Sequence, residues 1–287
     1  MMSLMRYKVW FFVMSTLIIL PGLFFVFTGG LKFGIDFTGG ALLEYKFDNL
    51  VQKESLEEFG TVVPSGDNTY MIRTQTVSFE QLQDLKKRIN EKTGNFTVRR
   101  EENVGPVIGK ELERKAGIAL VFSCVMIVLY IAFAFRKVPK PASSFRFGVC
   151  AIAALIHDVL LVIGAFAIFG YFLGIEIDTL FVTALLTIIG FSVHDTIVVF
   201  DRIRENLPKH LSKKFETVVD ISITQTLARS LNTSLTVVFV LTALLLFGGT
   251  TIKWFVVALL IGIISGTYSS IFNASAILSW WEEKLGH

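Results

Sequence analysis

Residues 180–200 form an almost unbroken apolar run of about 21 residues, roughly the 20 that a helix needs to cross the hydrocarbon core of a bilayer. Five more runs of that kind accompany it, at 9–28 and at about 116–135, 147–169, 221–247 and 254–279. A segment in hydrocarbon must satisfy its backbone N–H and C=O groups internally, so runs of this length form helices. With 53% hydrophobic residues and a mean hydropathy of +0.62, the composition exceeds that of a soluble domain. The expected fold is an α-helical integral membrane protein of six transmembrane helices.

The first run follows Arg6 and Lys8, is longer than the 7–15 apolar residues of a signal peptide and is followed by no A-x-A site. It reads as a first transmembrane helix within residues 1–30, its N-terminus in the cytoplasm. Residues 31–115 change to short alternating strands and charged helices. Strands are expected at 41–47, 61–63, 69–74 and 96–100, and helices at 52–59 and 78–92. Ser78 is placed to cap the second helix with Gln81 at the capping-box position, and the turn formers P-S-G-D-N make the middle strands a hairpin. The order βαββαβ is that of a small ferredoxin-like α+β domain. Residues 116–287 make up the five-helix remainder.

Charge in the loops orients the chain. Arg136, Lys137, Lys140 and Arg146, then Arg202, Arg204, Lys209, Lys213 and Lys214, fall on the side of the N-terminus, whereas the short loops opposite carry only Lys253. The positive-inside rule then places both termini in the cytoplasm and residues 31–115 outside.

The charges within the runs constrain function. Asp195 lies about five residues from the end of its run, about 7 Å deep at 1.5 Å per residue. A carboxylate there costs about 2.5–3.5 kcal/mol on insertion scales, so it needs a partner, a proton or water. In the fifth run Gln225, Thr226, Arg229, Asn232, Thr233 and Thr236 form one polar stripe at helical spacing. Asp195 and Arg229 fall at similar depth on antiparallel neighbours, and an intramembrane pair between them is expected, either purely structural or part of a proton relay with Ser192 one turn away. Asp158 is a second intramembrane carboxylate, beside His157, either the acceptor of a helix–helix hydrogen bond or a further member of the relay, and His194, which adjoins Asp195, is also a relay candidate. An imidazole can hand on protons at physiological pH, but adjacent residues on a helix face different ways. Gly262, Gly266, Ser270 and Ala274 recur every four residues in the sixth run, a seam for close helix packing rather than chemistry.

Other chemistry finds no support. No Walker loop, G-x-S-x-G or zinc spacing is present, so neither an enzyme nor a cofactor or metal site is expected. A net charge of +3 gives no footing for nucleic acid, and Cys124 and Cys150 lie in apolar runs away from any disulfide context.

Five segments in order carry a resemblance: F33-G-I-D-F-T-G-G40, V104-G-P-V-I-G-K-E-L112, G190-F-S-V-H-D-T-I-V-V-F-D-R-I-R-E-N206, Q225-T-L-A-R-S230 and G266-T-Y-S-S-I-F272. Over nearly its whole length the chain resembles the SecF family of bacterial protein-export membrane subunits. The resemblance implies half of an RND-type bundle in the bacterial cytoplasmic membrane. Its implied partners are a SecD homologue, the SecYEG channel, YajC and the translocating unfolded polypeptide, with proton-motive force driving late-stage export. It maps a proton-path pair onto Asp195 and Arg229, and marks Gly34, Asp36, Gly39 and Gly40 as a motif where the outer domain begins. His194 stands where many relatives carry Asn. The competing functions are an RND-like proton-coupled exporter of small lipophilic molecules, against which the small outer domain speaks, and a scaffold whose charges only hold helices together.

Overall fold

The computed structural model describes residues 3–75, 78–139 and 142–285, which leaves Lys140 of the loop charges outside the described residues. Two compact units form, one from Met1–Lys32 with Ala119–His287 and the other from Phe33–Ile118.

Six helical segments among the described residues are long and apolar enough to cross a membrane: Met5–Phe27, Pro106–Ala134, Ser144–Leu173, Thr179–Asn206, Phe215–Phe247 and Thr250–Lys284. They are called the first to sixth spans. The second begins at Pro106, where proline, lacking an N–H, suits a first helical turn. Its opening turns carry Lys110, Glu111, Glu113, Arg114 and Lys115, and a reading of hydropathy alone registers only the apolar remainder. The sixth is one rod in three parts: Lys253–Tyr268, a π-helical turn at Ser269–Asn273, and Ala274–Lys284. A π-turn inserts one extra residue and so rotates the helix that follows.

The fourth and sixth spans are the most enclosed. The second shows Val121, Phe122, Val125, Leu129 and Phe133 on its exposed side, as a lipid-facing helix must. Glycine sets the crossing of the first and third spans, where a Cβ on Gly22 would lie 2.6 Å from the Gly164 Cα. Phe135, Phe147 and Phe200, all buried, pack with centroids 5.2–5.8 Å apart and tie the second, third and fourth spans.

The Phe33–Ile118 unit holds a four-stranded antiparallel sheet with β1 Gly40–Phe47, β2 Thr61–Gly66, β3 Thr69–Thr74 and β4 Phe96–Val104 in the spatial order β2-β3-β1-β4. This is the split βαβ arrangement, in which β3 separates β1 from β2. The helix Phe79–Thr93 starts with the Ser78/Gln81 capping box, Ser78 N–H donating to Gln81 Oε1 at 2.8 Å and Gln81 N–H to Ser78 Oγ at 3.3 Å. The helix expected at 52–59 is instead two 3₁₀ turns, Lys53–Ser55 and Glu57–Phe59. Eight residues are too few for a self-sustaining α-helix, and a three-residue repeat brings Leu56 and Phe59 onto one face, where both are buried with Leu43, Tyr45, Phe47, Val62, Ile72 and Ile89. The Tyr45 hydroxyl donates to Glu101 at 2.7 Å, and Lys86 pairs with the same carboxylate. Burial, then the hydrogen bond to Glu101 and the charge of that carboxylate, push the Tyr45 phenol well above its ordinary value.

Candidate functional site

Two carboxylates are enclosed in the bundle, each among hydroxyls presented by neighbouring spans. Asp158 is fully buried on the third span. Its Oδ2 accepts from Ser192 of the fourth span at 2.5 Å and from Ser269 of the sixth at 2.7 Å, and its Oδ1 accepts from Ser265 at 3.2 Å. His157 Nδ1 lies 3.0 Å from the same Oδ1. On the other side of that ring Asn273 Nδ2 lies 3.1 Å from Nε2 and also donates to Ser15 Oγ at 2.6 Å. An amide nitrogen can only donate, so Nε2 accepts and Nδ1–H donates to Asp158. The histidine thereby borders a cavity of about 250 Å³ lined by Phe12, Ser15, Thr16, Ala154 and Asn273 among others.

Asp195 is 2% exposed. Its Oδ2 accepts weakly from Ser234 of the fifth span at 3.4 Å and from Thr267 of the sixth at 3.5 Å, while those two hydroxyls lie 2.6 Å apart. His194 Nδ1 is 3.7 Å from Oδ1, and its side chain is 64% exposed. Thr196 Oγ1 meets Ser270 Oγ at 2.8 Å, and Ser270 donates to the Ser192 carbonyl at 3.1 Å. Hydroxyls are the right groups for this setting, because each both donates and accepts and can stabilise a carboxylate in either protonation state.

The expected ion pair is not formed. Arg229 is exposed and, among the described residues, no carboxylate lies within ion-pair distance of it. The buried face of the fifth span runs through Ile223, Thr226, Ser230 and Ser234, and Arg229 sits on its flank, one residue before Ser230. Of the stripe read from the sequence, Gln225, Arg229, Asn232, Thr233 and Thr236 are exposed and only Thr226 is buried. Ser192, placed beside Asp195 by spacing, bonds Asp158 instead. His157 reaches its neighbour Asp158 despite the angle between adjacent helical positions.

Ser265, Thr267 and Ser269 were not singled out by sequence reasoning, although Thr267 and Ser269 lie inside the segment G266-T-Y-S-S-I-F272. Their signal was present as small hydroxyl residues beside the glycine seam. That seam packs within this chain: a Cβ on Gly262 would run into the Ile188 side chain, and one on Gly266 would lie 3.2 Å from Ser192 Cβ and 3.5 Å from Asp158 Oδ2. Glycine at 266 therefore lets the sixth span come close enough for Ser265 and Ser269 to reach Asp158.

In the Phe33–Ile118 unit the two glycine-rich segments meet. Gly34 precedes a single helical turn at Ile35–Thr38 that contains the half-buried Asp36, and Gly39 and Gly40 follow with φ of +73° and +132°. These conformations disfavour any side chain. Cβ atoms there would meet Pro106 Cα at 3.0 Å and the Thr74 carbonyl at 2.9 Å, and one on Gly109 would lie 2.9 Å from the Phe37 carbonyl.

Residues 84–284 match the family model described as Protein export membrane protein SecD/SecF, C-terminal, and residues 24–49, which include Gly39 and Gly40, match the SecD/SecF GG Motif. The chain belongs to the SecD/SecF family. Protein translocase subunit SecF of Thermobaculum terrenum is 47% identical over 99% of this chain and 95% of that relative, and that of Anaerolinea thermophila is 42% identical over 98% and 94%. Among solved structures, the crystal structure of SecDF, a translocon-associated membrane protein, from Thermus thermophilus aligns with a TM-score of 0.85 at 34% identity over 97% of this chain. SecDF in its super-membrane-facing form aligns at 0.72 with 33% identity. This chain spans only 38–39% of those SecDF chains. These family members are translocase subunits, a transport role rather than a catalytic one, and this chain is a multi-pass membrane protein.

Proposed function

We propose that the chain is the SecF-type half of a proton-driven auxiliary of the Sec translocase. Paired with a SecD homologue and associated with SecYEG, with YajC as a further partner, it promotes late-stage export of unfolded polypeptides across the bacterial cytoplasmic membrane. Its termini are cytoplasmic and residues 31–115 lie outside. The observation that carries this reading is Asp195, a carboxylate enclosed at membrane depth whose protein contacts are two long hydroxyl hydrogen bonds and the more distant His194. With no Lys or Arg beside it among the described residues, such a group takes up and releases a proton without breaking an ion pair, which suits a carrier better than a structural strut. Arg229 supports the same reading from outside the fold: an exposed guanidinium in a spanning helix requires a polar neighbour, and the stripe around it fits the SecD half.

The test is secretion completed in inverted vesicles under an imposed proton gradient. Asp195→Asn keeps the shape and both hydroxyl contacts but fixes a neutral group. It is expected to accumulate normally and to lose the gradient-dependent component. Full gradient-driven secretion by Asp195→Asn would remove the proposal.

A further inference from the structure

The C-terminal part of the sixth span carries Ser275, Ser279 and Glu282, at i, i+4 and i+7 on one face, and all three are 0% exposed. Ser275 Oγ, Ser279 Oγ and Glu282 Oε2 have no hydrogen-bond partner among the described residues. Ser230 Oγ of the fifth span is likewise unpartnered among the described residues, but other helical hydroxyls in this bundle behave differently. Ser222 and Thr226 each donate to the carbonyl four residues back, at 2.7 and 3.0 Å. Buried polar groups are satisfied by protein or by ordered water, and an orphan pays its desolvation without return. Three on one face of one helix are not an accident of packing.

The face runs from a buried ion pair to a carboxylate. At one end Arg146 of the third span donates to Glu282 Oε1 at 2.7 Å; at the other, Ser269 and Ser265 donate to Asp158 of that same third span. The third and sixth spans are thus pinned together at both ends of the segment. At 1.5 Å per residue the steps Glu282 to Ser279, Ser279 to Ser275 and Ser275 to Ser269 are about 4.5, 6 and 9 Å, each spanned by one to three waters. The π-turn at Ser269–Asn273 lies in the longest step and contributes another unpartnered buried oxygen, Asn273 Oδ1. The charged and titratable neighbours are Arg146 at Glu282, the buried Cys150 thiol of the third span within electrostatic reach of both, the adjoining Lys8–Glu283 pair, and His157 at Asp158, with Asp220 of the fifth span committed to the amides of Leu4 and Met5.

We propose that Glu282, Ser279 and Ser275 line an internal water file that carries protons between the face bearing both chain termini and the His157–Asp158 dyad. Asp158 is then a second proton-carrying carboxylate of the bundle, served by its own route. In each transfer a water or hydroxyl accepts one proton on a lone pair as it gives up another, and Asp158 alternates between carboxylate and carboxylic acid. The inference rests on the proton-driven reading above, and the face it opens to is cytoplasmic in that orientation.

Water access and proton passage are tested separately, in inverted vesicles containing the complex with its SecD partner and with Cys124 and Cys150 replaced by Ala. Silver ion, small enough for a single file and reactive with thiolates, is applied from the cytoplasmic face, and the thiols left unblocked are counted after denaturation. Ser275→Cys and Ser279→Cys are expected to be blocked, while Leu278→Cys, buried on another face, is spared. Blocking of none of the three, or of all three equally, overturns the file. Proton flux is then measured in Ser275→Ala, Ser275→Val and Asp195→Asn. Removing a dry orphan hydroxyl should be neutral or stabilising, so Ser275→Ala serves as the well-folded member. The file requires flux to fall about tenfold or more in both Ser275 variants at normal accumulation. Unchanged flux in both, with flux lost in Asp195→Asn, overturns the file and leaves the proton-driven reading standing. Unchanged flux in all three overturns both.

Discussion

Ser192 of the fourth span donates a 2.5 Å hydrogen bond to Asp158 of the third, and Gly266 of the sixth lies against both. One small residue and one hydroxyl thus let three helices share a carboxylate. Asp158→Leu would leave Ser192, Ser265 and Ser269 without their acceptor, at about 1–3 kcal/mol for each buried group left unsatisfied. Membrane accumulation is expected to fall sharply for Asp158→Leu and much less for Asp158→Asn, which keeps one acceptor oxygen. Immunoblots of membrane fractions compare them.

Gly22 and Gly164 lie backbone against backbone where the first and third spans cross. Gly164→Leu drives a side chain into the Gly22 backbone, and overpacking of this kind costs about 1–3 kcal/mol or more where backbone is the obstacle. The variant is expected to lose protease resistance between the first span and the rest. The small change Ser275→Ala, made in parallel, should not.

Gly40 sits at φ +132° with the Thr74 carbonyl 2.9 Å from where a Cβ would be. Gly40→Ala is therefore expected to destabilise the Phe33–Ile118 unit by about 1–3 kcal/mol, read as increased proteolysis of that unit. Gly66→Ala is the counterpart: its φ of +151° is also unusual, but no atom lies within 4 Å of the added Cβ, so its smaller effect isolates the contribution of the clash.

Tyr45 gives the Phe33–Ile118 unit an alkaline limit. Its folded-state phenol is held above the unfolded value, so the associated stability is fully present below about pH 10 and is lost as pH rises beyond it. The excised segment 32–106 is expected to fold alone, and its melting temperature should drop between about pH 8 and 11 more steeply than that of Tyr45→Phe. Thermal melts by circular dichroism decide. Parallel pH profiles would show that Tyr45 contributes nothing to the limit, and a coil spectrum at neutral pH would show that the segment does not fold by itself.

The six helices were legible because hydrocarbon permits so few structures that length and hydropathy decide, and the Ser78/Gln81 cap because it is local chemistry. The residues around the carboxylates were legible only in part. Asp158 and Asp195 stand out by their cost, but periodicity gives the faces of one helix and not the rotation of its neighbour. That is why Ser192 was assigned to the wrong carboxylate and Arg229 to a pair the structure does not form. Ser265, Thr267 and Ser269 were hidden for a related reason, since small hydroxyl residues beside glycines look like packing until the helix they approach is known.

The exposed Arg229 and the buried Asp195 separate two roles that the sequence had joined. Leaving a guanidinium against lipid costs about 2.5–3.5 kcal/mol on insertion scales, so the flank of the fifth span that carries Arg229, Asn232, Thr233 and Thr236 is expected to be covered by the SecD half. Arg229→Met should then weaken co-purification with SecD while leaving the fold of this chain intact, because no intrachain carboxylate loses a partner. Asp195→Asn should do the reverse, keeping the complex and abolishing gradient-driven secretion. A buried intrachain pair would behave otherwise: each single change would destabilise by about 3–5 kcal/mol through the stranded charge, and Asp195→Leu combined with Arg229→Met would restore accumulation. Accumulation, SecD co-purification and secretion measured on the two single variants and the double one distinguish these cases. Recovery of accumulation only in the double variant would place the two side chains together in the working protein, and additive losses on separate readouts would establish them as a partner contact and a proton carrier.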